Sequence, residues 1–398
     1  MPDYPQIFLN AKRSHALDGF HPWILDRSVI DPTLPLPPGT IVDCLLPSGA
    51  SLGRGIYNPN SRIRIRLYQK TLAEDLDEAW LLRQLERACN LRNFWMSRNH
   101  NLDALRLVNS EGDGLSGVII DRFGDCVVIQ LTAYALLPWL DLIADWIESK
   151  FAPQAIFLRI DAATAKQEGL ESKDELLRGI PPTGPLQIVE NSVKLAIDLS
   201  ASQKTGYYLD QRANRAAAAR WIEAGPLLDV CCYVGGFSLA ARQWTPATEI
   251  TAVDSSLRAL EGAERNLQLN GFPAIDFVQA DCFDYLEHLV SENAQFQTVI
   301  LDPPRMASHR GQVAAAIRAY HRLNLNAVRI LSPGGLLVTC SCSGRVSRED
   351  FAGLLGAVSR KTKRRLQILE SRSADFDHPV DTTCLESEYL KCLICRVE

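Results

Sequence analysis

Two short strings in the C-terminal half carry side chains able to make and break bonds at carbon. Leu301-Asp-Pro-Pro-Arg305 closes an apolar run. Its two prolines hold the backbone extended and remove two donors, so Asp302 is presented rigidly. Thr339-Cys-Ser-Cys-Ser-Gly344 closes another apolar run and brings two thiols. Cys340 and Cys342 fall on the same face of an extended strand, so spacing does not choose between them. A cysteine inside a strand ordinarily behaves as a small apolar group, and Cys340 reads that way. Cys342 lies past the strand end among Ser341, Ser343 and Gly344, where a thiol is open to reaction as a nucleophile.

A third string, Asp229-Val-Cys-Cys-Tyr-Val-Gly-Gly-Phe237, has the form of a cofactor turn. Gly235 and Gly236 let the backbone approach a ligand closely. Asp254 ends the next apolar run, 25 residues after Asp229, where a carboxylate can accept hydrogen bonds from a ribose diol. A dinucleotide site would carry G-x-G-x-x-G to cradle a pyrophosphate on a helix N-terminus, and here the third glycine is absent. S-adenosylmethionine has no phosphate to cradle; it offers a ribose, an adenine and a zwitterionic amino acid. Asp281, at the third strand end, can take the adenine amine. Acids at three successive strand ends point to a methyltransferase using S-adenosylmethionine, although any one of them alone would more often be a helix cap.

These residues need a scaffold that gathers strand ends. Apolar runs at 227–231, 249–253, 276–278, 298–301 and 336–340 read as strands. Helical segments at 238–244, 256–269, 283–289, 313–331 and 348–359 alternate with them. That alternation predicts an α/β fold with a parallel sheet and helices on both faces. Ligands of such sheets bind at the carboxyl ends of the strands, where strand order switches, so Asp302 and the thiol loop should converge beside the glycine turn. Upstream, residues 1–72 read as a small β-rich domain. Arg62-Ile-Arg-Ile-Arg-Leu67 is its strand with an arginine face, either solvated or contacting phosphate. Residues 73–100 read as one long helix, and strands with a helix at 136–150 follow. The polar, Pro/Gly-rich stretch 166–190 reads as a connection between domains.

Composition bounds the rest. The 398 residues suggest two or three domains. A net charge of −5 gives no global basic field, but residues 1–72 carry a local excess of three positive charges, a hint of a polyanion-facing module. No stretch approaches the roughly 18 apolar residues of a membrane span, and MPDYPQIFLNAKR lacks the form of a secretory signal. Eleven scattered cysteines read as reduced thiols of a cytoplasmic protein. Cys392 and Cys395 form an isolated C-x-x-C without a second pair, so no metal site is expected.

Several strings together resemble the ribosomal RNA large-subunit methyltransferase I family. They are Lys204-Thr-Gly-Tyr-Tyr-Leu-Asp-Gln-Arg212, Tyr233-Val-Gly-Gly-Phe-Ser238, Asp302-Pro-Pro-Arg305 and Ser341-Cys-Ser-Gly344. With them go Leu107-Val-Asn-Ser-Glu-Gly-Asp-Gly-Leu-Ser-Gly117, Asp121-Arg-Phe-Gly124 and Asp377-His-Pro-Val380. The resemblance spans nearly the whole chain. It implies a PUA-like RNA-binding domain over 1–72, a central α+β domain over 73–188 and a Rossmann-like class I methyltransferase domain over 189–398. It implies 5-methylcytosine formation in 23S rRNA, or in a large ribosomal subunit precursor, with Cys342 as nucleophile and Asp302 holding the N3/N4 edge of the base. Arg62, Arg64 and Arg66 become expected RNA contacts. Lys204, Tyr207 and Arg212 become expected contacts to the methionine end of the cofactor, beside Asp229, Tyr233, Gly235, Gly236, Phe237, Asp254, Asp281 and Asp302. The base that removes the carbon 5 proton is left open among Cys340, a water and the Asp377-His378 segment, with a structural role favoured for His378. The oligomeric state is also open, a homodimer included. The competing readings are methylation of another atom such as a guanine nitrogen, which needs no covalent thiol, a dinucleotide oxidoreductase, and a non-catalytic RNA-binding protein.

Overall fold

The computed structural model describes residues 4–10, 20–30, 35–98, 102–199, 205–307 and 309–398. They form two compact units. The first comprises Met1–Pro185, Leu199–Tyr207 and Asp377–Ser387, and the second Leu186–Asp198, Tyr208–Phe376 and Glu388–Glu398.

The first unit opens with β1 (Gln6–Phe8), β2 (Trp23–Leu25), β3 (Thr40–Leu45), β4 (Ser51–Tyr57) and β5 (Ile63–Gln69), a sheet in the order β1-β3-β4-β5-β2. Ile7, Ile24, Val42, Tyr57 and Ile65 close its small core. β5 is the alternating arginine strand, but its arginine face is not uniformly solvated. Arg66 is 5 % exposed. It donates to Ser116 Oγ at 2.8 Å and pairs with Glu111 at 3.2 Å and Glu168 at 3.4 Å. The expectation that all three arginines face RNA therefore narrows to Arg62, which is exposed, and Arg64, half-buried with its guanidinium on the carbonyl of Pro59.

Next come α1 (Glu78–Met96), β6 (Ala104–Asn109), β7 (Val118–Phe123), β8 (Cys126–Leu131), α2 (Leu140–Phe151), β9 (Ala155–Ile160), α3 (Ala162–Glu168) and β10 (Lys173–Gly179). The second sheet runs β10-β9-β8-β7-β6. α1 starts at 78 rather than 73 because the Asp77 carboxylate accepts the Trp80 amide at 2.7 Å, capping the helix. The stretch 166–190 is not a bare connection: α3, β10 and β11 (Leu186–Glu190) occupy most of it. Asp161 caps α3 and left-handed Gly169 ends it. β10 is an edge strand with much of its length exposed, so its sequence is polar like a loop.

Three of the strings that carried the resemblance make one buried knot in this unit. Arg92 forks onto Asp113 at 2.6 and 2.7 Å, and Arg106 onto Asp121 at 2.7 and 2.9 Å. Asp377 Oδ2 accepts the Arg106 amide at 2.9 Å, and its Oδ1 lies 2.7 Å from His378 Nδ1. A Cβ on Gly112 would come within 2.0 Å of the Pro379 carbonyl, so only glycine fits there. These groups are buried and paired with one another.

The second unit begins with the hairpin of β11 and β12 (Val193–Ile197). Then follow α4 (Arg212–Ala219), β13 (Gly225–Val230), α5 (Gly236–Trp244), β14 (Ala247–Asp254), α6 (Leu257–Asn270), β15 (Asp276–Gln279), α7 (Cys282–Ser291), β16 (Phe296–Leu301), α8 (Val313–Ile330), β17 (Leu331–Ser341), α9 (Arg348–Thr362), β18 (Leu366–Arg372) and β19 (Lys391–Val397). Seven strands form one sheet in the order β15-β14-β13-β16-β17-β19-β18. The first five are parallel, while β19 runs antiparallel to both β17 and β18. Leu227–Val230 of β13 and Thr298–Leu301 of β16 are buried without alternation, because helices cover both faces of a parallel sheet. Strand order reverses between β13 and β16, which puts the ligand crevice at their carboxyl ends. Among the described residues no helix is long and apolar enough to cross a membrane.

Candidate active site

The turn from β13 into α5 is bent by three residues with positive φ: Cys231 at 64°, Tyr233 at 50° and Gly235 at 84°. Asp229 is fully buried just before it. Asp229 Oδ2 accepts Ser238 N at 3.1 Å and Ser238 Oγ at 2.7 Å, tying strand to helix. Asp229 Oδ1 has no hydrogen-bond partner among the described residues. Burial pushes this carboxyl up to about 6, against the pull of Ser238. Asp254, at the end of β14, accepts Tyr233 N with Oδ2 and Ser256 N with Oδ1, both at 2.9 Å. Its oxygens fix the turn and keep further lone pairs for a ribose. Asp281 is exposed and caps α7, its Oδ1 accepting the amides of Phe283 and Asp284. The cap reading, available for any of the three acids, describes its contacts here.

Asp302 follows β16, where its amide donates to Val230 O at 3.2 Å. Gln211 Nε2 donates to its Oδ1 at 2.9 Å. Loss of solvent, then nearby Asp210, push the carboxyl up to about 7, while Gln211 and Arg215 oppose them. Cys342 is half-buried one residue beyond the end of β17, and its sulfur lies 3.8 Å from the Pro303 carbonyl oxygen. Thiol and carboxylate loop thus meet at neighbouring strand ends, as their positions in the sheet required. Cys340 is fully buried opposite Cys392, and the hydrogen bond with that thiol and burial push it well above the ordinary range.

Residues 165–378 match the S-adenosylmethionine-dependent methyltransferase family, and residues 7–70 match the PUA-like domain. A ribosomal RNA large subunit methyltransferase I from Shewanella denitrificans is 35% identical over 395 residues, covering 98% of this chain and 99% of its own. The protein of the same name from Klebsiella pneumoniae is 35% identical over 396 residues, covering 99% and 98%. The chain belongs to the ribosomal RNA large subunit methyltransferase I family. Two solved structures share its fold at low identity. A methyltransferase complexed with SAH superposes with a TM-score of 0.85 at 20% identity, covering 98% of this chain and all of its own. A SAM-dependent methyltransferase from Streptococcus mutans gives 0.83 at 21%, with the same coverage.

S-adenosylmethionine is the cofactor of this methyltransferase I family member. The residues fit it: the orphaned oxygen of Asp229 suits an ammonium, and Asp254 has acceptor capacity for ribose hydroxyls. Gly235 starts α5, Gly236 is its first residue, and Phe237 is buried behind the turn. Three more residues were expected at the cofactor. Arg212 is buried and pairs with Asp375 at 2.6 Å, with its guanidinium over Phe376. Tyr207 is buried in the segment of the first unit that ends there, and Lys204 lies outside the described residues.

The site also holds residues that sequence reasoning did not single out. Tyr208 packs edge-on against Tyr233 at 5.3 Å, and burial raises its phenol. Ser343 Oγ accepts the amides of Met306 at 3.0 Å and Ala307 at 3.2 Å, and lies 3.0 Å from the Tyr320 hydroxyl. Lys391 Nζ donates to Ser343 O at 2.7 Å. Gln211 and Tyr208 stood inside the string 204–212. Tyr320 on a helix and Lys391 at a strand start gave no pattern that sets them apart from core and edge residues.

Proposed function

We propose that this protein methylates carbon 5 of a cytosine in 23S rRNA through a covalent Cys342 adduct. The proximity of Cys342 to the Asp302-Pro303 peptide carries the reading, because that chemistry needs a thiol and a protonatable carboxyl on one base. The ribosomal RNA large subunit named for its relatives and the PUA-like match support the choice of substrate.

Carbon 5 of cytosine is a poor nucleophile. Addition of the Cys342 sulfur to carbon 6 breaks aromaticity and makes carbon 5 enamine-like. Asp302, near neutrality in its titration, can donate a proton toward N3 while its other oxygen accepts from the N4 amine. That pairing absorbs the charge developing on the ring. When bound, S-adenosylmethionine supplies the electrophilic methyl group. A water takes the carbon 5 proton, the Cys342 sulfur leaves as thiolate, and N3 returns its proton to Asp302 as the aromatic ring is restored. Tyr208 and Tyr233 provide an aromatic wall beside the turn, and the target base must be unstacked to expose carbon 6. Asp229, Tyr233, Gly235, Gly236, Phe237, Asp254 and Asp281 are proposed to line the cofactor, and Arg62 and Arg64 to contact RNA phosphates.

The test is methyl transfer to 23S rRNA by Cys342→Ala. A covalent route predicts loss of at least about a thousandfold in rate with S-adenosylmethionine affinity retained. Retained turnover would sink the carbon 5 mechanism and favour a nitrogen target.

A further inference from the structure

A buried lysine holds the carbonyl of Ser343, the residue after Cys342. Lys391 starts β19, and it is 3 % exposed. Burying an ammonium is costly unless it is hydrogen-bonded and its charge is compensated. Two carbonyls accept from Nζ: Ser343 O at 2.7 Å and Tyr389 O at 2.9 Å. Carbonyl dipoles satisfy donors but do not neutralise a charge. The titratable and charged groups whose fields reach Nζ are Cys342 from the loop after β17, Arg305 from the loop after β16, Arg348 from α9 and Glu388 from the approach to β19. Two of these can carry negative charge, Cys342 and Glu388, and Glu388 is paired with Arg348 at 2.6 Å. Cys342 acts on Lys391 more strongly than Glu388 does. Cys342 in turn acts on Tyr208, Tyr320 and Lys391, and of these three Lys391 is the cation.

The carbonyl that Lys391 holds belongs to Ser343, the residue after Cys342. Its hydroxyl takes the amides of Met306 and Ala307, in the loop that carries Asp302. Ser343 is thus clamped from β19 and from the loop after β16, with Tyr320 of α8 as a third contact.

Resting on the reading of Cys342 as nucleophile, we propose that Lys391 is a positioning residue that anchors the Cys342-Ser343 turn and supplies positive charge facing the thiolate. The thiol proton leaves to solvent, the thiolate is held against the ammonium, and sulfur adds to the base with no further reactant required. Burial lowers Lys391 to about 8, and the field of the Cys342 sulfur pulls it upward.

The measurement is the rate of iodoacetamide alkylation at Cys342, read by peptide mass spectrometry from pH 5.5 to 9.5 on the full chain. Lys391→Gln removes the charge and keeps a donor; Lys391→Arg keeps the charge. An opposite charge shifts a neighbour by about one to three pKa units, so Lys391→Gln should slow Cys342 alkylation at pH 7 by about tenfold or more and move its midpoint up by at least about one unit. Lys391→Arg should restore most of both. S-adenosylmethionine binding and thermal midpoint, measured on each variant, register misfolding. If Lys391→Gln folds poorly, the wild-type protein alone decides the matter: a Cys342 midpoint at or above about 8.5, the ordinary thiol value, refutes the proposal, and one clearly below it supports the proposal. An unchanged midpoint in a folded Lys391→Gln refutes it as well. Failure of the covalent reading is separate, since it shows as methyl transfer by Cys342→Ala whatever the alkylation profile.

Discussion

Replacing Asp302 by asparagine should make the protein more stable and inactive at once, in a pH-dependent way. The carboxyl titrates near 7 in the fold against 3.8 in a free chain. Because folding raises this acid's pKa, the folded chain keeps a proton that the unfolded chain has released between those values. Its contribution to stability is greatest below 3.8 and declines as pH rises to 7. The gap of about three units corresponds to ~4 kcal/mol as an upper bound. Asp302 is half-buried, and solvent screening reduces the expected cost of its charge to about 1–2 kcal/mol. Asparagine removes that cost, and its amide oxygen still accepts from Gln211 Nε2. At pH 8.5 the Asp302→Asn protein should melt about 2–8 °C above wild type, with an advantage about half as large at pH 5.5. Methyl transfer should fall by about a hundredfold or more, because the amide cannot donate and accept as the acid does. Calorimetric melting at the two pH values and a single-turnover assay suffice. A variant no more stable at pH 8.5 than at pH 5.5, relative to wild type, would refute a raised Asp302 pKa.

Arg66→Ala leaves Glu111 and Glu168 buried without their cation and should destabilise the first unit by about 3–5 kcal/mol, read as a drop in melting temperature. Arg62→Ala, at an exposed position, should leave melting unchanged within about 0.5 kcal/mol while weakening rRNA binding and its salt dependence in a filter-binding assay. Asp229 titrates near 6, and its ionised form is the one suited to an ammonium. S-adenosylmethionine affinity should therefore be lower at pH 5.5 than at 7.5, and Asp229→Asn should bind weakly at both, as measured by titration calorimetry.

Much of the site was legible because strand ends in a doubly wound sheet are neighbours whatever their sequence separation. That rule sufficed to join the glycine turn, Asp302 and Cys342, and β17 runs through Ser341, which leaves Cys340 inside the strand and Cys342 beyond it. Spacing could not reveal who partners whom across long gaps. Nothing in the string 204–212 reveals that Asp375, 163 residues away, pairs with Arg212. Arg66 reads as one of three equivalent arginines until Glu111 and Glu168 arrive from other elements. The edge strand β10 hid in 166–190 because one unpaired side tolerates the polar residues that also make loops. The strings around Asp113, Asp121 and Asp377 were the least transparent. They carried the resemblance, and in the fold they make buried ion pairs and hydrogen bonds that spacing did not announce.

The central claim is tested most directly by mapping 5-methylcytosine in 23S rRNA after incubation with S-adenosylmethionine and either wild-type protein or Cys342→Ala. The expected result is a cytosine that gains a carbon 5 methyl only with the wild-type protein. Methylation at a different atom, or an equal gain with Cys342→Ala, would contradict it.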